Sequence, residues 1–135
     1  MQPYIKFRYI RGVEMLDNNK CILVYGLSNI ELENIKELGY RIVEITTEMC
    51  EMTLMDVLMG AKFEIFNNNI IDEKVILYNN LSEEELRKAI KDTRTKIKDG
   101  ILAVVTPQSI NWKINYLIKH LKEEKEWYSK VRKER

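Results

Sequence analysis

Four short apolar runs punctuate the chain: Cys21 to Tyr25, Tyr40 to Ile45, Val75 to Tyr78 and Ile101 to Val105. Their length and their β-branched and aromatic content predict strands, and unbroken apolarity in Cys21–Tyr25 and Val75–Tyr78 predicts burial on both faces. Between and after them, apolar residues recur at helical spacing. The stripe Leu86, Ile90, Thr93, Ile97 predicts one amphipathic helix, and Ile114, Leu117, Ile118, Leu121 predict another that runs from about Asn111 to Lys130. A first helix is expected to end near Leu38 with Gly39 beyond it, and a short one is expected near Met52 to Met59.

The pattern occurs twice. At a constant offset of 54, Ile22 to Lys36 aligns with Ile76 to Ile90, and Ile22, Leu23, Leu27, Ser28, Glu31 and Leu32 meet identical residues. The second half then carries six extra residues, and the offset becomes 60: Ile42 meets Leu102, Thr46 meets Thr106, Met52 meets Trp112 and Leu54 meets Ile114. Ser28-x-x-Glu31 and Ser82-x-x-Glu85 are capping boxes, each flanked by leucines in hydrophobic-staple positions. These observations predict a single α/β domain over residues 1–135, built from β-α-β-α units at 21–60 and 75–130. The expected sheet has mainly four strands with helices packed on it. Whether the halves join as one parallel sheet or about a local two-fold axis is left open by the pattern. Tyr4 to Ile10 and Lys62 to Phe66 read as candidate extra strands, Asp17-Asn18-Asn19 and Asn67-Asn68-Asn69 as turns.

Composition narrows the chemistry. The chain has 135 residues, 45% of them hydrophobic, and 22 basic side chains against 21 acidic ones. That excludes a disordered chain and a uniformly basic nucleic-acid binder. His120 is the sole histidine, so a multi-histidine metal site is excluded and any Ser-His-Asp system would pass through it. Cys21 and Cys50 are the only cysteines and read as reduced, buried thiols. No apolar stretch is long enough to span a membrane and no signal-peptide pattern opens the chain, so a cytoplasmic location is expected. Neither G-x-G-x-x-G nor a P-loop motif occurs, and no cofactor or metal is expected.

Two segments, Val75 to Leu86 and Ala103 to Trp112, resemble a family of small bacterial proteins known only as domain of unknown function 3783. The shared features are a strand followed by Leu81-Ser82 and an acidic helix start, then Val105-Thr106-Pro107 with a tryptophan at 112. The resemblance covers residues 75–125 well and 21–60 weakly. It implies a fold and carries no established activity.

Candidate sites follow from the strand ends, where ligands bind open α/β sheets. Thr106, Pro107, Asn111 and Trp112, with Asn79, Asn80 and Thr46, form the candidate ligand-binding set. There a helix N-terminus favours a small polar or anionic ligand, although Ser109 and Asn111 equally suit a helix cap and Trp112 a core position. Residues 1–74 carry 8 basic and 12 acidic side chains, while residues 75–135 carry 14 and 9. Arg87, Lys91, Arg94 and Lys98 share one helix face, a candidate nucleic-acid surface or a plain solvated one. Met49, Met52, Met55 and Met59 suit an irregular core or a homodimer contact through the short helix. The expected function is therefore a non-enzymatic domain that binds a small ligand or a protein. The alternatives are a nucleic-acid binder acting through the basic second half and a small enzyme acting at the Thr106–Trp112 loop.

Overall fold

In a computed structural model, which describes residues 20–60 and 71–133, the apolar runs become four strands of one sheet. Strand β1 (Cys21–Tyr25) leads through helix α1 (Asn29–Lys36) to β2 (Arg41–Ile45), and helix α2 (Leu54–Leu58) follows. Strand β3 (Val75–Asn79) leads through α3 (Glu83–Lys96) to β4 (Ile101–Val104), and α4 (Ile114–Lys133) follows. Thr47–Met49 and Ser109–Asn111 form 3-10 turns before α2 and α4. The candidate strands and turns at Tyr4–Ile10, Asp17–Asn19, Lys62–Phe66 and Asn67–Asn69 lie outside the described residues.

Helix starts follow the capping chemistry. Ser28 Oγ accepts the Glu31 N–H at 3.2 Å while Glu31 accepts the Ser28 N–H at 3.0 Å. Ser82 and Glu85 repeat this at 3.1 and 2.9 Å. Each box satisfies two amides that a helix N-terminus leaves without partners. The turns that precede them need a left-handed residue. Gly26 supplies it at φ 79°, and Asn80, which aligns with Gly26, supplies it at φ 64°. Helix α1 stops at Lys36, two residues short of the expected end, and Gly39 follows at φ 88°.

Strand order is β2-β1-β3-β4. Pairs β1–β2 and β3–β4 are parallel, but the central pair β1–β3 is antiparallel, with Leu23 opposite Leu77. The halves thus meet in the sheet through two strands that run in opposite directions. Because strand side chains alternate faces, odd and even positions build separate cores. Cys21, Leu23, Tyr25, Val75 and Leu77 face α2 and the first turns of α4, with Leu54, Val57, Ile114, Leu117 and Ile118. Ile22, Val24, Ile76 and Tyr78 face α1 and α3, with Ile35, Ala89 and Ile97. Both faces of β1 and β3 are covered, which explains their unbroken apolarity. Each fully buried large side chain there contributes roughly 1.5–3 kcal/mol.

On the α2–α4 face the two halves touch again. Thr53 bridges Lys113 in antiparallel fashion, the Leu54 N–H donates to Trp112 O at 3.2 Å, and the Ile114 N–H donates to Met52 O at 2.9 Å. The segment entering β3 is pinned from several sides. Tyr25 OH donates to Ile71 O at 3.0 Å and accepts the Ile71 N–H at 3.2 Å. Lys74 binds Glu31 at 2.7 Å and Asp99 at 3.2 Å, and Lys125 reaches Glu73 at 3.1 Å. The carbonyl of Glu73 lies so close over Gly26 that a Cβ would collide with it. No helix among the described residues is long and apolar enough to cross a membrane.

Candidate functional site

The strand directions decide which candidate residues can meet. Strands β3 and β4 end at the same edge of the sheet, so Asn79, Asn80, Thr106 and Pro107 lie near one another, linked by the Val105 N–H donating to Tyr78 O at 3.0 Å. Strand β2 ends at the opposite edge, because β1 runs against β3. Thr46 is therefore separated from the other residues of the predicted set. A sheet whose strands all ran in parallel would have brought the loops together; the antiparallel seam sends them to two ends.

Within the loop after β4, the polar groups are turned on each other. The Thr106 N–H donates to Ser109 Oγ at 2.9 Å, the Ser109 N–H donates to Thr106 Oγ1 at 3.0 Å, and the two hydroxyls are 3.1 Å apart. Ser109 is buried and the Ile110 N–H closes the turn on Thr106 O at 3.0 Å. Ser109 thus holds the 3-10 turn and does not cap α4, which begins at Ile114. Asn79 is fully buried opposite Cys21 at the end of β3. Asn111 is exposed, and Trp112 is half-buried against the α2–α4 core.

Trp112 opens a feature that the sequence pattern alone did not reveal. Its ring stands edge-on to Tyr116, with centroids 5.0 Å apart, and edge-on to His120 at 5.3 Å. Tyr116 and His120 lie nearly parallel at 6.2 Å. Tyr116 and His120, four residues apart, share one side of α4, and Trp112, in extended backbone just before the helix, lays its ring against both; the spacing of Tyr116 and His120 was the available signal. Tyr116 is 55% exposed, and His120 Nε2 lies 2.9 Å from Glu124. Beside the row, Glu51 accepts from Asn115 Nδ2 at 2.7 Å and from Lys113 Nζ at 3.4 Å. Helix α4 spans about 30 Å at 1.5 Å per residue, and residues 123–130 are exposed all round, including Trp127 and Tyr128.

The candidate basic face on α3 is divided among several tasks. Arg94 donates to the carbonyls of Ile97, Asp99 and Gly100 at 3.4, 3.0 and 2.8 Å, so it ties down the helix exit. Arg87 pairs with Glu83 at 2.7 Å on the open surface. Lys91 is exposed on the helix, whereas Lys98 is exposed beyond its end at Lys96 and is not on the predicted face. The shallow groove along this helix is lined by Glu83, Glu84, Arg87, Lys88 and Lys91, a mixture of both charges.

Other reactive groups are sealed. Cys21 and Cys50 are both free and fully buried, and burial pushes both thiols up from their ordinary value. Of the Met-rich run, Met52 is buried, Met49 and Met55 pack against the core, and Met59 is exposed. No group of three or more His, Cys, Asp or Glu side chains among the described residues could hold a metal ion.

No curated protein and no solved structure matches the chain. Residues 74–128, which take in β3, α3, β4 and most of α4, match the family model described as Domain of unknown function (DUF3783).

Proposed function

We propose that the chain is a cytoplasmic, non-enzymatic α/β domain that docks a protein partner on the aromatic row formed by Trp112 and the first turns of α4. One observation carries this: Trp112, Tyr116 and His120 form a pre-ordered three-ring surface, with Tyr116 more than half exposed. Rigid aromatic side chains are the commonest anchors of protein interfaces, because they bury much area at little entropic cost. The positions that align with these rings in the first half are Met52, Asp56 and Gly60. A shared fold does not need the row.

An enzyme or a small-ligand pocket at Thr106–Trp112 has less support, since the Thr106 and Ser109 groups bond each other. Nucleic-acid binding by α3 is weakened by Glu83 and Glu84 in the same groove and by the capping work of Arg94. Homodimerisation through the Met-rich helix has Met59 as its exposed methionine, because Met52 is occupied in the core.

A photo-crosslinking amino acid at position 116 tests the proposal in cells. It is expected to give discrete protein adducts that disappear when His120→Ala is added. The same probe at Ile30, which is 75% exposed on α1, is expected to give none of them. Identical adducts at both positions, or none at 116, would refute the docking surface. Retention on heparin at low salt that is lost with Arg87→Glu and Lys91→Glu would move the function to α3.

A further inference from the structure

We infer that the contact between the two halves is an isologous dimer interface held within one chain, so that residues 74–130 can take a second copy of themselves in place of residues 20–60. In an isologous contact, if residue i of one copy meets j of the other, then j of the first meets i of the second. Three separate places obey that rule. In the sheet, Ile22 pairs with Tyr78, while Val24, the counterpart of Tyr78, pairs with Ile76, the counterpart of Ile22. Leu23 faces its own counterpart, Leu77, as a residue on a two-fold axis must.

On the α2–α4 face, Thr53 likewise bridges its own counterpart, Lys113. Leu54 donates to Trp112 and Ile114 donates to Met52, a reciprocal pair. At the helix starts, Lys20 binds Glu85 at 3.0 Å and its counterpart Lys74 binds Glu31, the counterpart of Glu85, at 2.7 Å. Sheet register, face bridge and ion pairs are independent contacts, and one two-fold axis accounts for all of them. The family match spans one half alone. Without the other half, the apolar strand Val75–Asn79 would lose the neighbour that covers its β1 side. The partner that fits this edge is a second copy of the same chain.

The ion pairs provide the test, made on the full-length chain refolded from urea at high protein concentration. Lys20→Glu with Glu31→Gln sets a carboxylate at position 20 against Glu85 and removes the partner that Lys74 has in the other half, while its pair with Asp99 stays, and leaves Lys74 and Glu85 able to pair between two second halves. Glutamine still serves at N3 of a capping box. The variant is expected to lower the dimer dissociation constant about tenfold in sedimentation velocity, the scale of two or three partly exposed charge contacts. Adding Glu85→Gln removes both the repulsion and the new pairing, and should return the constant to near the wild-type value. The mirror variant, Lys74→Glu with Glu85→Gln, should dimerise through first halves to a similar extent, and it decides the matter if the first variant does not fold. A dimer in which each half pairs with the opposite half of the other chain repeats the monomer's contacts and would not respond to these charges. Unchanged dimer fractions, or a gain that survives Glu85→Gln, would overturn the inference.

Discussion

Gly26→Ala should destabilise the protein far more than Gly39→Ala, although both glycines have positive φ. At Gly39, φ is 88° and no atom lies within 4 Å of an added Cβ. The cost there is the left-handed conformation, roughly 1–2 kcal/mol, less a few tenths from the stiffer unfolded chain. At Gly26, φ is 79° and the new Cβ would strike the carbonyl oxygen of Glu73, a backbone atom that cannot rotate aside. Relief requires the 71–74 segment to move. That movement loosens the two Tyr25–Ile71 hydrogen bonds, each contributing about 1 kcal/mol. It also disturbs the Lys74–Glu31 and Lys125–Glu73 pairs, whose solvent-screened contacts add little. The expected total for Gly26→Ala is about 3–4 kcal/mol, against about 1 kcal/mol for Gly39→Ala. Urea denaturation followed by circular dichroism measures both, and equal m-values would confirm that stability alone has changed. Equal losses at the two sites would show that the Glu73 carbonyl does not crowd Gly26 and that the 71–74 segment is not pinned there.

Three further outcomes follow from buried or paired groups. Tyr78→Phe removes a buried hydroxyl that donates to Thr93 Oγ1 at 2.8 Å, and should cost about 1 kcal/mol in urea denaturation, because Thr93 still donates to Ala89 O. Glu31 is held below its ordinary value of 4.5 by Lys74 and the Ser28 N–H, and Glu85 by the Ser82 N–H and Lys20. Their folded values are depressed, so their contribution is complete above about pH 4.5 and fades as pH falls through the lowered values. Glu31→Gln with Glu85→Gln should flatten thermal stability between pH 5 and 3, roughly the window in which the wild type loses it; an unchanged slope would refute the assignment. Cys21 and Cys50 should react with a thiol reagent only on the timescale of unfolding, and both at once in denaturant; fast labelling of either in the native protein would contradict their burial.

Strands, capping boxes and helix stripes were legible because each rests on local chemistry. Ser28-x-x-Glu31 contains its own partners, and the core stripe of α3 needs only helical spacing. Strand direction was not legible. Ile22 and Leu23 are apolar on both faces of the sheet, and that pattern is the same whether the neighbouring strand runs parallel or antiparallel. The misplacement of Thr46 follows from that one ambiguity. Arg94 read as part of a surface stripe because a periodicity does not show that its guanidinium would fold back onto the carbonyls of Ile97, Asp99 and Gly100. The neighbourhood of Tyr116 and His120 was missed for a related reason: rings outside the apolar face do not contribute to the stripe by which α4 was recognised.

The antiparallel seam also bears on the order in which the chain folds. Pairs β1–β2 and β3–β4 join segments that a single helical crossover separates, whereas Cys21 must find Asn79 and Tyr25 must find Val75 across most of the molecule. Closing the longer loop costs only about 1 kcal/mol more in chain entropy, but that cost comes before the seam's contacts repay it. Each half can therefore assemble early and then wait for the other with a fully apolar strand edge open. Core changes at Leu23 or Leu77 should act on the folding rate, while changes in the outer turns of α4 should not. During that interval the exposed β1 and β3 edges are also where neighbouring chains would first adhere.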